Sequence, residues 1–411
     1  MRFRLLAIFL IFLVASCAAP EEKQFVDLLI TNAHVVDVRE GSVLRDQTIA
    51  LQDGRILHVG DDSKNYDSES KINAKGKYLI PGLWDMHVHF RGGQDLIQEN
   101  KNLLPLFLAN GITTVRDAGG DITNSVQIWS AEIKKGNLDG PRIFTSGPKL
   151  DGIDPTWAGS IELEKTEDVA NALDSLESIG ADYVKIYDSK ISRDVYLEII
   201  RQAEGRGMLT TGHMPFTVKL EEAIEAGLDA TEHAYYVFKG ASPKEDSLTN
   251  LAIQGWDSGK PVSFGRQLQL YYDSYDNLKA AELFSKMAET GTSILPTLYI
   301  GRVLSRLKED KHIRDPELNY IGPEIRKTYL RRLNSALRAP DESTAFGQKL
   351  SEKFIDMIPL MHEAGVNILA GSDCGPYNTF IYPGFSLHSE LQLLVEAGIP
   401  VKEVLRIATL S

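Results

Sequence analysis

The sequence predicts an α/β protein whose main part is a (β/α)8 barrel, the TIM barrel, preceded by a small N-terminal β-sandwich module. From Gly82 onward, short apolar runs alternate with amphipathic stretches of helix length, which is typical of repeated β–α units and a parallel sheet. Between Phe25 and about Leu79, shorter alternating runs are separated by glycine-containing turns, as in a series of β-hairpins. With 411 residues the chain is long enough for one large domain and one accessory module.

Residues 1–17 have the features of a bacterial lipoprotein signal peptide. Their start is basic, and residues 5–14 form an apolar stretch that is too short to span a membrane. The sequence that ends at Cys17 resembles a lipobox, so we expect cleavage before Cys17 and lipidation of that residue. A simple secretory signal that ends near Ala19 is the alternative, and both interpretations predict export.

We therefore expect a bacterial membrane lipoprotein that faces the periplasm or the cell surface and touches the membrane only through its lipid anchor. Residues 18–25 are interpreted as a short polar tether. Cys374 is the only other cysteine, so after lipidation of Cys17 no disulfide partner remains. The net charge of −13 and the lack of a basic stripe argue against a nucleic-acid partner.

The small β module is predicted over residues 26–81 and the barrel over residues 82–411. His34 and His58 are interpreted as ordinary strand residues of the module. Eight strands, the number that closes such a barrel, are predicted after the module. They are residues 83–90, 113–117, 142–146, 183–187, 209–213, 230–233, 293–298 and 367–373.

Amphipathic stretches of helix length fit the gaps between these strands, for example residues 167–179, 195–206 and 351–364. Residues 302–349 form a charged stretch that is longer than a simple connection requires. We interpret this stretch as an extra helical excursion between the seventh and eighth strands. A lid over the barrel is one form that it can take, and solvated helices are the simpler alternative.

Polar residues of metal-binding type stand at the carboxyl ends of five of the eight predicted strands. They are His87, His89, Lys185, His213, His233 and Asp373. Residues two apart in a strand project from the same face, so His87 and His89 point at one place. The active site of a (β/α)8 barrel lies at the carboxyl ends of its strands, where all six side chains would meet. Because imidazole and carboxylate groups are common zinc ligands, the sequence predicts a metal site there.

Each of these residues also has a simpler interpretation. Taken singly, His213 and His233 are typical of satisfied core histidines, and Asp373 is typical of a side chain that caps a turn. Lys185 is compatible with a surface position, but a lysine inside an apolar barrel is costly unless it is paired or neutralised. A neutral amine can add carbon dioxide and become a carbamate, an anionic bridge between two metal ions. The convergence of all six residues favours the metal site.

Seven segments of the chain together resemble the amidohydrolase superfamily, most closely the imidazolonepropionase-like group that includes Xaa-Pro dipeptidases. They are residues 79–89, 111–117, 140–142, 180–185, 231–233, 370–373 and 387–391. The resemblance implies that His87, His89 and Asp373 hold one divalent metal ion. It also implies that His213 and His233 hold a second ion, and that Lys185, carboxylated by carbon dioxide, bridges the two.

The resemblance further implies a reaction at two divalent metal ions, for which zinc fits the mixed nitrogen and oxygen ligands. The ions share a water, lower its pKa to about 7 and polarise the scissile carbonyl. Asp373 accepts the proton of the metal-bridging hydroxide as it attacks, then delivers the proton to the leaving amine. The expected function is an exported metal-dependent amidohydrolase that cleaves the C–N bond of a small amide or peptide. A catalytically silent ligand-binding lipoprotein and a hydrolase of lactones or other esters are the alternatives.

Two positions depart from branches of this superfamily. The deaminase and imidazolonepropionase branches carry a glutamate three residues after the fifth-strand histidine, where this chain has Phe216. This difference favours hydrolysis at a two-metal centre over deamination. Many dipeptidase-like members carry Gly-Gly-His after the third strand, and the absence of that histidine here argues against a dipeptidase. Tyr235 and Tyr236 are candidate substrate contacts, with burial against the barrel rim as the alternative.

The surroundings of the candidate ligands give further expectations. We expect Arg116 and Asp117 to form an internal ion pair, and Glu232, which has the opposite parity to His233, to be structural. Relatives usually continue beyond the equivalent of Ser411 to complete the small module, so we expect the C-terminal part of that module to be missing. A homo-oligomer is compatible with the sequence.

Overall fold

The computed structural model describes residues 23–61 and 63–410. The chain divides into two units, and the boundary lies between Ile80 and Pro81. The predicted signal peptide with Cys17, and most of the predicted tether, lie outside the described residues. Within the described ranges, no helix combines the length and the apolar character that crossing a membrane requires.

The first unit consists of a five-stranded sheet and a two-stranded ribbon. Its strands are β1 (Gln24–Phe25), β2 (Leu28–Val36), β3 (Val43–Gln52), β4 (Arg55–Gly60), β5 (Tyr66–Asp67), β6 (Ser70–Asn73) and β7 (Tyr78–Leu79). β3 pairs antiparallel with both β2 and β4, whereas β6 and β7 pair parallel with β2. His34 lies in β2 and His58 in β4, each with its ring against a tyrosine ring, so both are strand residues of this unit.

Parallel strands form the centre of the second unit. Its strands are β8 (Leu83–Val88), β9 (Ile112–Asp117), β10 (Arg142–Thr145), β11 (Leu150–Asp151), β12 (Ile161–Glu162), β13 (Val184–Ile186), β14 (Thr210–Gly212), β15 (Ala230–Glu232) and β16 (Ser293–Leu295). The first seven predicted strands are present as β8, β9, β10, β13, β14, β15 and β16. The short strands β11 and β12 were not predicted, and they follow β10 in the chain.

The eighth predicted strand, residues 367–373, forms isolated bridges instead of a continuous ladder. Ile368 bridges Ile294 of β16 at one end, and Cys374 bridges Val88 of β8 at the other. The segment therefore still closes the barrel between its last and first strands, as a (β/α)8 fold requires.

The side chain of Asp85 completes this closure. Its carboxylate accepts hydrogen bonds from the backbone N–H of Ser372 at 2.8 Å and from the Ser372 hydroxyl at 2.6 Å. The next residue, Asp373, has a φ of 58°, which lies outside the extended region. This left-handed turn therefore falls at a residue that was predicted to be a metal ligand.

Helices surround the barrel strands, and their buried faces belong to the same large apolar cluster as the strands. The described α-helices are α1 (Ile97–Ala109), α2 (Thr123–Lys134), α3 (Val169–Ser178), α4 (Arg193–Arg206), α5 (Leu220–Glu225), α6 (Ala234–Gly240), α7 (Glu245–Asp257), α8 (Phe264–Tyr272), α9 (Asn277–Thr290), α10 (Leu298–Arg306), α11 (Pro323–Arg338), α12 (Asp341–Glu363), α13 (Phe385–Glu396) and α14 (Val401–Ile407). Short 3-10 helices are Ser63–Asn65, Gln94–Leu96, Thr166–Asp168 and Pro316–Tyr320.

The charged stretch 302–349 is helical, as predicted. It contains the end of α10, all of α11 and the start of α12. The carboxylate of Glu99 in α1 accepts hydrogen bonds from the N–H groups of Glu324 and Ile325 at the N-terminus of α11, at 3.1 and 2.8 Å. A carboxylate at this end of a helix satisfies free N–H groups and complements the helix dipole. These bonds fix α11 beside the first helix of the barrel.

Candidate metal centre

The six candidate ligands meet at the carboxyl ends of the barrel strands, and each is at most 9% exposed. The Nε2 atoms of His87 and His89 are 3.2 Å apart, and those of His213 and His233 are 3.0 Å apart. The Oδ1 atom of Asp373 lies 3.2 Å from Nε2 of His89 and 3.5 Å from Nε2 of His87. The structure therefore brings together residues that are up to about 290 positions apart in the chain.

The alternation of β8 explains why the first two histidines share a face. Asp85 and His87 are fully buried, whereas Trp84 and Met86 are half-buried on the opposite face of the strand. His89 continues the inward-facing series one residue beyond the end of β8. This part of the site follows directly from the period-two pattern of the sequence.

Outer hydrogen bonds orient the imidazole of His213. Its Nδ1 atom lies 3.0 Å from Oδ1 of Asp188, and the other carboxylate oxygen of Asp188 accepts a hydrogen bond from the hydroxyl of Tyr236. Burial raises the pKa of Asp188 to about 6, partly offset by the hydrogen bond from Tyr236. A carboxylate behind a histidine fixes its tautomer and directs the second ring nitrogen towards a metal. Tyr236, a predicted substrate contact, thus holds the carboxylate that orients a candidate ligand.

His233 and His89 are oriented in a similar way. Nδ1 of His233 lies 2.6 Å from the hydroxyl oxygen of Thr297, and Nδ1 of His89 lies 3.4 Å from the carbonyl oxygen of Gly119. His233 and Thr297 have positive φ angles of 62° and 46°, which are unfavourable for residues with a side chain. The backbone is therefore held in a strained conformation at the point where it presents a ligand.

Lys185 of β13 is fully buried, and its amine contacts the carboxylate of Glu232. Burial lowers the pKa of Lys185 well below its ordinary value, and the positive charges of Lys149 and Arg116 lower it further. The amine is thus placed where its neutral form is favoured, and the neutral form is the one that adds carbon dioxide.

Glu232 lies inside the barrel, although strand alternation predicted that it would face away from His233. The alternation ends because His233 has a positive φ, so Glu232 and His233 both reach the interior. The expected ion pair between Arg116 and Asp117 is wrong: Arg116 binds Glu232 at 3.1 Å. The Asp117 carboxylate instead accepts hydrogen bonds from the N–H of Phe90 and from a threonine hydroxyl.

Asp373 is positioned by its neighbours and by its own backbone. The side-chain amide of Asn378 donates to both the carbonyl oxygen and Oδ1 of Asp373, at 2.6 Å each. Burial raises the pKa of Asp373 to about 6, and the nearby positive charges of Arg91 and Arg332 oppose this rise. A carboxyl group with a pKa close to neutral is suited to accept and release a proton during catalysis.

A cavity opens above the candidate ligands. His89, His213, His233 and Asp373 line its floor, and Tyr235 lines its wall. The Tyr235 ring is stacked on that of His233, with centroids 5.1 Å apart. Of the two tyrosines that were candidate substrate contacts, Tyr235 therefore borders the space open to a substrate.

Three residues around the site were not singled out from the sequence. Asp188 follows the strand that carries Lys185. A carboxylate just beyond the carboxyl end of a barrel strand indicates a site residue, so the sequence pattern could have identified it. Arg91 stands two residues after His89, with the same parity, and its guanidinium lies 4.0 Å from the ring centroid of Trp157. Thr297 gave no signal, because a threonine after an apolar strand is ordinary.

The residues fit a pair of divalent metal ions. Burial lowers the pKa of all four histidines well below the ordinary value, so the imidazoles are neutral and can act as ligands. The paired Nε2 atoms are 3.2 and 3.0 Å apart, so in each pair two imidazole nitrogens point to the same place. Nδ1 of His87 is buried without a hydrogen-bond partner, and the buried amine of Lys185 has the Glu232 carboxylate as its contact. Buried imidazole and carboxylate groups of this kind suit zinc and similar ions.

Residues 78–411 match the model of the amidohydrolase family. The chain belongs to this family. The membership confirms the superfamily and the barrel that the sequence predicted. Among curated relatives, adenine deaminase 2 of Desulfotalea psychrophila (strain LSv54 / DSM 12343) is 36% identical over 112 residues, which are 27% of this chain and 18% of that protein. The match thus spans less than a fifth of that relative.

Solved structures of similar fold include a bottromycin amidohydrolase and a Xaa-Pro dipeptidase with bound methionine in its active site. The first has a TM-score of 0.66 at 20% identity, and the alignment covers 92% of this chain and 76% of that one. The second has a TM-score of 0.61 at 19% identity, with coverage of 93% and 86%. At these identities the likeness shows the fold that the two proteins share with this chain.

Proposed function

We propose that the protein is a metal-dependent hydrolase that cleaves the C–N bond of a small amide or peptide. The observation that carries this proposal is the set of four buried histidines whose Nε2 atoms face one another in two close pairs. His87, His89 and Asp373 would hold one divalent ion. His213 and His233 would hold a second, and Lys185, as a carbamate, would join the two. Zinc is the ion we expect.

When bound, the ions supply an acidified water and a polarised substrate carbonyl. Asp373 takes a proton from the attacking water and passes it to the leaving nitrogen, so that water and an amide become a carboxylic acid and an amine. Asn378 holds the Asp373 carboxylate towards the histidines during this transfer. Tyr235 packs on His233 and forms a wall against which the substrate lies.

Amide hydrolysis is favoured over deamination by the residue that follows the fifth strand. In the deaminase branch of the superfamily a glutamate stands where this chain has Phe216. The ring of Phe216 is buried and packs against Phe264 and Tyr271. It provides no proton donor or acceptor, so a purine ring would lack the carboxylate that deamination requires.

Metal analysis coupled to a substrate screen tests this proposal. The protein is loaded with zinc and its metal content is measured by plasma mass spectrometry. We expect about two ions per chain and turnover of at least one member of a panel of dipeptides and N-acyl amino acids. Asp373→Asn should abolish turnover, whereas Asp139→Asn, a change of an exposed carboxylate, should leave it unchanged.

Three other results would contradict the proposal, and each would indicate a different function. Binding of panel members without metal or turnover would indicate a silent ligand-binding protein. Turnover of lactones alone would indicate an esterase that uses the same site, and turnover of adenine alone would indicate a deaminase.

We also propose that the protein is an exported bacterial lipoprotein, anchored through Cys17. The basic start, the apolar stretch and the lipobox-like sequence of residues 1–17 support this proposal. Cells that express the chain are fed an alkyne-labelled palmitate, and the protein is examined for label. We expect label on the natural sequence and none on Cys17→Ala. Equal labelling of the two would refute the anchor.

A further inference from the structure

Arg332 is a cation that lines the cavity; its charge acts on Asp373, but the two do not form an ion pair. It lies on α11, is half-buried, and lines the same cavity as Asp373 and His233. Within the described part of the chain, Arg332 forms neither an ion pair with a carboxylate nor a side-chain hydrogen bond. A half-buried guanidinium has five N–H donors in a planar fork, an arrangement that matches a carboxylate.

The other cations beside the cavity are already engaged. Arg91 donates to the carbonyl oxygen of Pro376 and to Oδ1 of Asn378, at 2.9 Å each, with its guanidinium over Trp157. Lys149 donates to the carbonyl oxygen of Gly119 at 2.8 Å. Of the two arginines that line the first cavity, Arg332 is therefore the one that remains available to a ligand among the described residues.

A second, mostly apolar cavity adjoins the first, and none of the described histidines lines it. Tyr235, Leu304 and Phe354 line both cavities. Leu268 and Ala336 line the second cavity alone. Arg332 and Ala336 are one helical turn apart on α11, so one face of this helix presents a cation to the first cavity and a small apolar residue to the second.

We propose that Arg332 binds a carboxylate of the substrate and that the second cavity takes a large apolar group of the same molecule. The substrate class is thus an amide with a free carboxylate and an aromatic or long aliphatic arm, such as an N-aryl-alkanoyl amino acid. The proposal rests on the hydrolase function proposed above, because it places the scissile bond over the histidines. The helical excursion, residues 302–349, would then select the substrate.

A ligand that cannot be cleaved tests this inference apart from catalysis. In 4-oxo-6-phenylhexanoate a methylene replaces the scissile nitrogen of N-(3-phenylpropanoyl)glycine, and its carboxamide is the neutral counterpart. Binding of both to the zinc-loaded protein is measured by calorimetry. We expect the acid to bind at least about tenfold more tightly than the carboxamide, as for a hydrogen bond to a charged group. Arg332→Gln should remove this preference, and Arg338→Gln, an exposed arginine of the same helix, should retain it.

Turnover of N-(3-phenylpropanoyl)glycine is measured in parallel. Arg332→Gln should raise KM with a smaller effect on kcat, because the carboxylate is bound equally before and during the reaction. Ala336→Phe should weaken binding of the phenyl ligand and leave 4-oxopentanoate, which lacks the ring, unaffected. Circular dichroism of each variant establishes that the fold is retained.

Equal binding of acid and carboxamide, or a preference that persists in Arg332→Gln, would overturn the inference even if amides are cleaved. A preference for the acid that depends on Arg332, without turnover of any amide, would support the inference and refute the hydrolase function. Unchanged binding of the phenyl ligand by Ala336→Phe would refute the role of the second cavity.

Discussion

The change Asp188→Asn is expected to weaken metal binding and to stabilise the metal-free protein. Asp188 accepts the hydrogen bond of His213 through Oδ1 at 3.0 Å and that of Tyr236 through its other oxygen. Asparagine has the same shape and keeps one oxygen, but it lacks the charge that makes the imidazole a stronger ligand. Loss of such a carboxylate typically lowers metal affinity by about 10- to 100-fold. This corresponds to about 1.4 to 2.7 kcal/mol.

The same change, Asp188→Asn, is expected to raise the free energy of unfolding of the metal-free protein. Burial raises the pKa of Asp188 from 3.8 to about 6. A raised pKa means that the folded chain holds the proton more tightly than the unfolded chain. This contribution to stability is present below pH 4 and is lost as the pH rises through about 6. At pH 8 the ionised carboxylate therefore destabilises the fold by up to about 3 kcal/mol, which asparagine relieves.

Two measurements check this reasoning. Zinc affinity is measured by competition with a chelator, and the free energy of unfolding of the metal-free protein is measured with urea at pH 8. Asp182→Asn is the matched control, because Asp182 precedes the same strand at the opposite end of the barrel and accepts a hydrogen bond from Thr145. It should leave zinc affinity unchanged. Wild-type zinc affinity in Asp188→Asn, or a metal-free variant clearly less stable than wild type, would refute the argument.

Three further changes have defined outcomes. Lys185→Ala should reduce bound zinc from about two ions to at most one per chain, and millimolar propionate should restore part of it by occupying the vacated space. Burial raises the pKa of Asp85 from 3.8 to about 7, so its contribution to the unfolding free energy should fall by up to about 4 kcal/mol between pH 4 and 7, and Asp85→Asn should remove that share of the pH dependence. Gly375→Ala should destabilise the fold by at least about 3 kcal/mol in urea unfolding, because Gly375 has a φ of 131° and an added Cβ would lie 2.3 Å from the carbonyl oxygen of His89.

Two of these changes have a control variant within the chain. Lys353→Ala removes a half-buried lysine that stacks on Tyr275, and it should leave the zinc content at two. Full zinc content in Lys185→Ala would exclude the carbamate bridge. An unchanged pH dependence in Asp85→Asn would show that another group titrates. Gly205→Ala, inside α4 with open space around the Cβ position, should stabilise the fold by about 1 kcal/mol.

The sequence predicted the barrel and the candidate ligands because both depend on short-range pattern. Strand alternation places His87 and His89 on one face, and a polar residue at the end of an apolar strand marks the carboxyl edge of the sheet. The same rule located Lys185, His213 and His233 without knowledge of any contact between them.

Features that depend on backbone angles or on distant loops were not predictable in this way. Alternation placed Glu232 on the wrong side because it assumes an extended chain, whereas His233 has a φ of 62°. The pairing of Arg116 with Glu232 joins two strands that are distant in the chain, so the neighbouring Asp117 was the wrong choice. Arg332 lies in a charged helical stretch that contains several arginines, and only the packing of α11 shows which one faces the cavity.

The bond between Asp85 and Ser372 joins residues 287 positions apart. Forming a contact across so long a loop is a slow step of folding, because the chain loses entropy before the stabilising contacts are made. Asp373 stands next to this bond, so the first metal position is complete only after the last segment has docked on the first strand. Zinc uptake by a refolding chain should therefore follow, and not precede, the recovery of its helical signal. A metal ion at this centre would therefore stabilise the barrel after it has formed and would not nucleate its folding.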